Sequence, residues 1–197
     1  MEKSDRVKVW DPFVRVFHWS LLAAFMTASF TEFDTLRLHV LAGYAVLALV
    51  ALRVVWGFIG GGEARFASFV HHPREIVAHL KDVIRLKHKS YTGHNPAAGA
   101  MAITLLIFLL LTTLTGLLTY GAKEVSGPFA ALLINYGWRW GKGLEEVHHF
   151  LAEGTLALVF IHMTGAIVES ILSRENLILP MFTGYKQRSI TKEEEIL

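Results

Sequence analysis

Four long apolar runs alternate with short polar or mixed segments along the chain. They lie near Phe13–Phe33, Leu38–Ile59, Ala97–Tyr120 and Leu144–Leu172. Each holds the ~20 largely apolar residues that a helix needs to cross a hydrocarbon core. The segment "TEFDTLRL" between the first two is so short that those helices must be antiparallel neighbours. The pattern predicts an all-α membrane protein, a four-transmembrane-helix bundle forming one domain over residues 1–180, followed by a solvated tail over 181–197.

A fifth, different pattern sits between the second and third runs. In "HPREIVAHLKDVIRL" the apolar Ile76, Val77, Leu80, Val83 and Ile84 recur at helical spacing, with Arg74, Lys81, Asp82 and Arg85 opposite. Pro73 suits a first helical turn. This predicts an additional amphipathic helix on the cytoplasmic membrane surface. On it His71, His72, His79 and His88 are expected to be solvated or headgroup-facing. The segment "GPFAALLINYGWRWGKG" is apolar and aromatic but too short to span. Tyr136, Trp138 and Trp140 suit an outer interface or a docking surface for a partner.

Composition agrees: 53% of residues are hydrophobic and 18% charged, too greasy a balance for an ordinary soluble domain. No small-residue cleavage site follows the first apolar run, so a removable signal peptide is not expected. There is no cysteine. That excludes disulfides, iron–sulfur clusters, cysteine-ligated zinc and covalently attached c-type haem. The formal charge of +2 points to no nucleic-acid partner, but its distribution sets an orientation. Lys3, Arg6, Lys8 and Arg15 precede the first span. Arg65, Arg74, Lys81, Arg85, Lys87 and Lys89 follow the second, and Arg174, Lys186, Arg188 and Lys192 follow the fourth. The opposite side holds only Arg37, Lys123, Arg139 and Lys142. The positive-inside rule then puts both termini in the cytoplasm and the spans in a bacterial inner membrane, surrounded by lipid.

Ionisable residues inside such spans are functional candidates. His148 and His162 are 14 residues apart, so on an ideal helix they share a face within about 40° and are separated by about 21 Å. His149 is turned about 100° away from His148 and faces elsewhere. His18 lies near the inner start of the first span and His39 at the outer start of the second. Depth alone therefore pairs His39 with His148 outside and His18 with His162 inside. Two bis-histidine pairs at two depths in a helical bundle suit two stacked b-type haems, with these four residues as axial iron ligands.

Gly43 follows His39 by one turn and would let a flat macrocycle approach the backbone. Arg53 faces the same interior at the inner depth. Two readings of it stand side by side: a partner for a haem propionate, or a side chain snorkelling to the cytoplasmic interface.

The segments "VWDPFVRVFHW", "HVLAGYAVLALVALRVVWG" and "GHNPAAG", with the His148/His162 spacing, resemble the prokaryotic cytochrome b561 and nickel–iron hydrogenase b-type cytochrome family. The resemblance covers about Val9 to Leu172. It implies a di-haem cytochrome b exchanging electrons with membrane quinone, ubiquinone or menaquinone, and the same histidine pairing. It also implies a quinone site near the inner haem, where His94 and Asn95 are candidates, although "HNP" equally suits a turn and helix cap.

The expected function is that of the membrane subunit of a respiratory oxidoreductase. It would pass electrons between quinone and a periplasmic redox protein of cytochrome c, hydrogenase or dehydrogenase type. The alternative is a stand-alone cytochrome that oxidises a small species such as superoxide, steered by Arg37, Arg139 and Lys142.

Overall fold

The computed structural model describes residues 6–31, 35–85, 91, 93–135 and 137–187. The expected tail beyond residue 187, His88 with its lysines, Tyr136 and the side chain of Trp138 lie outside the described residues. Four helices are long and apolar enough to cross a membrane: α1 (Pro12–Thr31), α2 (Leu36–Ile59), α5 (Pro96–Lys123) and α7 (Gly137–Ser173). The shorter elements are β1 (Arg6–Lys8), α3 (Phe66–Phe69), α4 (Pro73–Ile84), α6 (Ala130–Leu133), α8 (Pro180–Thr183) and β2 (Tyr185–Gln187). Among the spans α7 differs most from expectation. It begins seven residues earlier than the apolar run and has 37 residues. At 1.5 Å per residue it is about 55 Å long, well beyond a hydrocarbon core of about 30 Å.

The spans carry large outward apolar side chains, among them Phe30, Phe58, Phe150 and Ile171, each at least 70% exposed. Such a surface is stable only against lipid. Threonines inside α5 satisfy their hydroxyls locally: Thr104, Thr113, Thr115 and Thr119 each donate to the carbonyl four residues back.

Packing is uneven. Close helix contacts join α1 to α2, α5 to α7 and, less extensively, α2 to α5. Helix α7 stands off from α1 and α2 among the described residues. One apolar cluster bridges the bundle at mid-depth: Phe25, Val46, Val50 and Leu109, with Leu156 and Val159 packed against it.

The end of the bundle that holds β1 and β2 is more built than the sequence suggests. Asp11 Oδ1 accepts from Val14 N at 2.7 Å and starts α1. Its Oδ2 accepts from Trp56 Nε1 at 3.1 Å, tying α1 to α2. The chain after α8 returns antiparallel to β1, pairing Arg6 with Gln187 and Lys8 with Tyr185. Val9 N donates to Gly184 O at 2.9 Å, and Trp19 Nε1 to Met181 O at 3.2 Å. This two-stranded ladder has no counterpart in the sequence reading. Lys186, expected in a solvated tail, is part-buried against Glu175.

Helix α4 forms where expected, with Pro73 in its first turn and His72 Nδ1 accepting from Arg74 N. Val77, Leu80 and Ile84 are exposed, as a membrane-facing stripe requires. His79 corrects the expectation. It is not solvated but 4% exposed, because α4 turns this face toward the bundle and seats the ring beside Glu169 and Tyr91.

Helix α3 touches α5 at Gly99, where a Cβ would overlap the Phe69 carbonyl oxygen. The exchange Gly99→Ala is therefore expected to destabilise the protein by about 1–3 kcal/mol by forcing α3 outward. Thermal unfolding in detergent would measure it, and an unchanged midpoint would count against this contact.

Candidate functional site

Two histidine pairs span the gap that α7 leaves against α1 and α2. His39 of α2 and His148 of α7 have ring centroids 6.0 Å apart with planes at 89°. His18 of α1 and His162 of α7 have centroids 6.5 Å apart with planes at 52°. Imidazole nitrogens hold first-row metals at about 2.0–2.1 Å. With about 1.1 Å from nitrogen to ring centre on each side, two imidazoles sharing one metal have centres a little over 6 Å apart. Both pairs have about this spacing.

The outer pair is held in one tautomer. His39 Nδ1 lies 2.9 Å from Ala28 O, and His148 Nδ1 lies 2.9 Å from Thr112 O. A carbonyl only accepts, so each Nδ1 carries the proton and each Nε2 keeps its lone pair. Metal-ligating histidines are ordinarily oriented in this way. Thr112 is itself fixed, its hydroxyl 3.1 Å from that of Thr155, which is fully buried in the α5–α7 contact. Gly116 lets α5 pass beneath His148, since a Cβ there would come within 2.9 Å of the ring. His149 is half-buried, its ring 6.1 Å from that of His148. The ring that meets His39 is that of His148.

The inner pair is less constrained. His18 Nδ1 is buried with no hydrogen-bond partner, and the ring stacks edge-on to Trp19 at 5.2 Å. Arg53 sits at this end of α2 and is 5% exposed, so it does not snorkel. Its guanidinium lies 5.3 Å from the centre of the Phe66 ring and 5.8 Å from that of Phe69. One of its terminal nitrogens is buried without a partner. A buried cation with an unused donor fits an anionic group such as a propionate. On α2, Gly43 has open space where a side chain would be. Standoff helices, paired imidazoles, a bare Gly43 and an under-satisfied arginine together fit b-type haem.

His94 and Asn95 precede α5. Asn95 caps that helix, its Oδ1 accepting from Ala98 N at 2.8 Å. His94 lies between Trp10 and Phe69, with ring centroids 4.7 Å from each. Its Nδ1 is buried without a partner. Burial, then the positive charge of Arg53 and the neighbouring His162, push its pKa down to about 4. The sequence offered no sign of this aromatic box, because Trp10, Phe69 and His94 come from three distant segments.

Among the described residues, no group of three or more histidine, aspartate or glutamate side chains converges as a metal site. At the end of the bundle that holds the His39–His148 pair, Arg37 and Arg139 are exposed, Lys123 pairs with Glu145 at 2.6 Å, and Trp140 is 65% exposed.

His94 is neutral in the folded protein until about pH 4, whereas an unfolded chain protonates it near 6.5. The unfolded state therefore binds more protons as pH falls, and stability is lost between about pH 6.5 and 4. In detergent, His94→Gln should flatten part of that decline; identical pH profiles for the two proteins would refute it.

The sequence profile of the prokaryotic cytochrome b561 family matches residues 9–184. A probable Ni/Fe-hydrogenase B-type cytochrome subunit from Bradyrhizobium diazoefficiens is 27% identical, over 76% of this chain and 65% of its own. One from Azotobacter chroococcum is 32% identical, over 75% of this chain and 66% of its own. The probable Ni/Fe-hydrogenase 1 B-type cytochrome subunit of Escherichia coli is 23% identical, over 97% and 96%. This chain thus spans just under two thirds of the length of the first of these relatives. No solved structure matches it significantly. With four spanning helices and a family profile that matches nearly its whole length, the chain belongs to the prokaryotic cytochrome b561 family.

Proposed function

We propose that this chain is an integral membrane cytochrome b carrying two b-type haems, one of which His18 and His162 would hold and the other His39 and His148. The observation that carries the reading is the pair of ring separations, 6.5 and 6.0 Å, between α7 and the helices that stand off from it. Haem supplies one-electron iron chemistry at each depth. The protein's part is to fix the ligands and to space the two levels. Ala28 and Thr112 carbonyls hold the outer imidazoles with Nε2 inward, and Arg53 neutralises negative charge at the inner level. The mid-depth apolar layer keeps water from the path between them. Gly43 leaves room for the macrocycle edge.

Electrons then pass between membrane quinone and a redox protein at the outer face. The names of the relatives, cytochrome subunits of Ni/Fe hydrogenases, support a hydrogenase-type partner. Exposed Trp140, Arg37 and Arg139 surround the outer pair's end of the bundle and suit such docking. The distribution of lysine and arginine supports an inner-membrane protein with both termini cytoplasmic. The quinone site is assigned to the inner level beside His94, whose unpartnered Nδ1 suits a quinone oxygen. Asn95 serves the cap of α5 instead.

Purified protein should show a reducible b-type absorbance spectrum and bind two haems per chain. Replacing His162 by alanine should remove one haem, while His149→Ala should remove none. Quantifying haem per polypeptide checks this, and equal losses in the two variants would overturn the ligand assignment.

A further inference from the structure

The cytoplasmic end holds buried ionisable side chains that electron transfer between the histidine pairs does not use. Helix α4 buries His79, while its Val77, Leu80 and Ile84 are exposed. Against His79 lies Glu169 of α7, with Nε2 and Oε2 4.0 Å apart and the two side chains 3% and 12% exposed. Burying such a pair costs more than burying apolar residues of similar volume. The same helix has those apolar residues and turns them outward, so packing alone does not explain the choice. Tyr91 closes the other side of His79, with ring centroids 5.5 Å apart.

Beside Glu169 is a cavity of about 20 Å³, also lined by Tyr91, Gly93, Asn95, Glu175 and Lys186. That is room for about one water, with polar groups to hold it. On one side Lys186 Nζ donates to the Tyr91 carbonyl at 2.7 Å and forms an ion pair with Glu175 Oε2, also 2.7 Å away, with both charged side chains 13% exposed. On the other side Gly93 and Asn95 flank His94. Around His94 itself the neighbouring rings, Trp10 and Phe69, supply no exchangeable carboxyl or hydroxyl proton.

We propose that Glu169, paired with His79 and bordering this cavity, relays protons between cytoplasmic water and the quinone site beside His94. The proposal rests on the quinone reading above. Converting one quinone to quinol takes two electrons, which the outer redox partner provides, and two protons, one for each oxygen. For each proton the O–H bond of the Glu169 carboxyl breaks, the proton crosses by way of the cavity water, and a new O–H bond forms on quinone. The carboxylate that remains, held by His79, regains a proton from the cytoplasm past Glu175 and Lys186. Quinol oxidation runs the same steps in reverse.

The test uses purified, haem-loaded protein, chemically reduced and then mixed with either a short-chain quinone or ferricyanide, which accepts an electron without a proton. In Glu169→Gln, haem reoxidation by quinone should slow at least tenfold while the ferricyanide rate stays unchanged, and Glu169→Asp should keep most of the quinone rate. Glu175→Gln, nearer the surface, should slow only the quinone reaction, and by less. Infrared difference spectra should show a D2O-sensitive carboxylic-acid C=O band in the wild type that is missing from Glu169→Gln. A wild-type quinone rate in Glu169→Gln would overturn the relay. So would equal slowing with ferricyanide, or loss of haem, which would make the pair a clamp holding α4 to α7. If the wild-type protein reacts with ferricyanide but not with quinone, the quinone reading itself fails, and the relay with it.

Discussion

An imidazole placed in the apolar interior of a bilayer must find a bonding partner for each of its nitrogens or be unstable there. Four such rings set the requirements that the rest of this bundle meets. Helix α7 carries two of them on one face, separated by four turns, so the elements facing it must supply partners at two depths. Helices α1 and α2 do so while standing off from α7, and α5 takes up the close packing that they leave undone. The result is a bundle that is tight along α5–α7 and open along the face where the rings meet.

That division explains several features that look unrelated in sequence. Small or polar residues on α5 are where the close contact needs them. Thr112 meets Thr155, and Gly116 admits the His148 ring. The bulky apolar residues Phe25, Val46, Val50 and Leu156 are where the open face must be sealed between the two levels. The motif "VWDPFVRVFHW" closes the inner end: Val9 and Trp10 are buried, Asp11 starts α1 and anchors Trp56, and His18 follows two turns later.

Most of the frame was legible because it rests on local pattern. Apolar runs of spanning length mark the four helices, and Asn95–Pro96 marks the start of α5. The spacing of His148 and His162 follows from helical geometry alone, and so does the turning away of His149. What escaped depends on contacts distant in sequence. Nothing local in Tyr185–Gln187 announces a strand, because its partner is the chain's other end. His79 reads as a surface residue because its neighbours on α4 are charged, whereas its burial is decided by Glu169, ninety residues on. Arg53 had two readings for the same reason. Phe66 and Phe69 of α3, beyond the end of α2, lie against it.

The two levels also differ in a way that the pairing does not require. At the outer level both rings bond backbone carbonyls, which cannot move without unwinding a helix, and the geometry is therefore rigid. At the inner level His18, Arg53 and His94 each keep a buried polar atom without a protein partner. In a native interior such orphaned groups are uncommon, and each is a point at which a ligand or water can bond. Near a water-sized polar cavity, these three groups suit the proposed reading of the inner end as the place where a molecule binds and leaves. On the proposed reading the outer end needs only to hold its rings still while an electron passes. On that reading the inner end would also have to admit a molecule and move protons, and its unsatisfied groups are ones that such a molecule would satisfy.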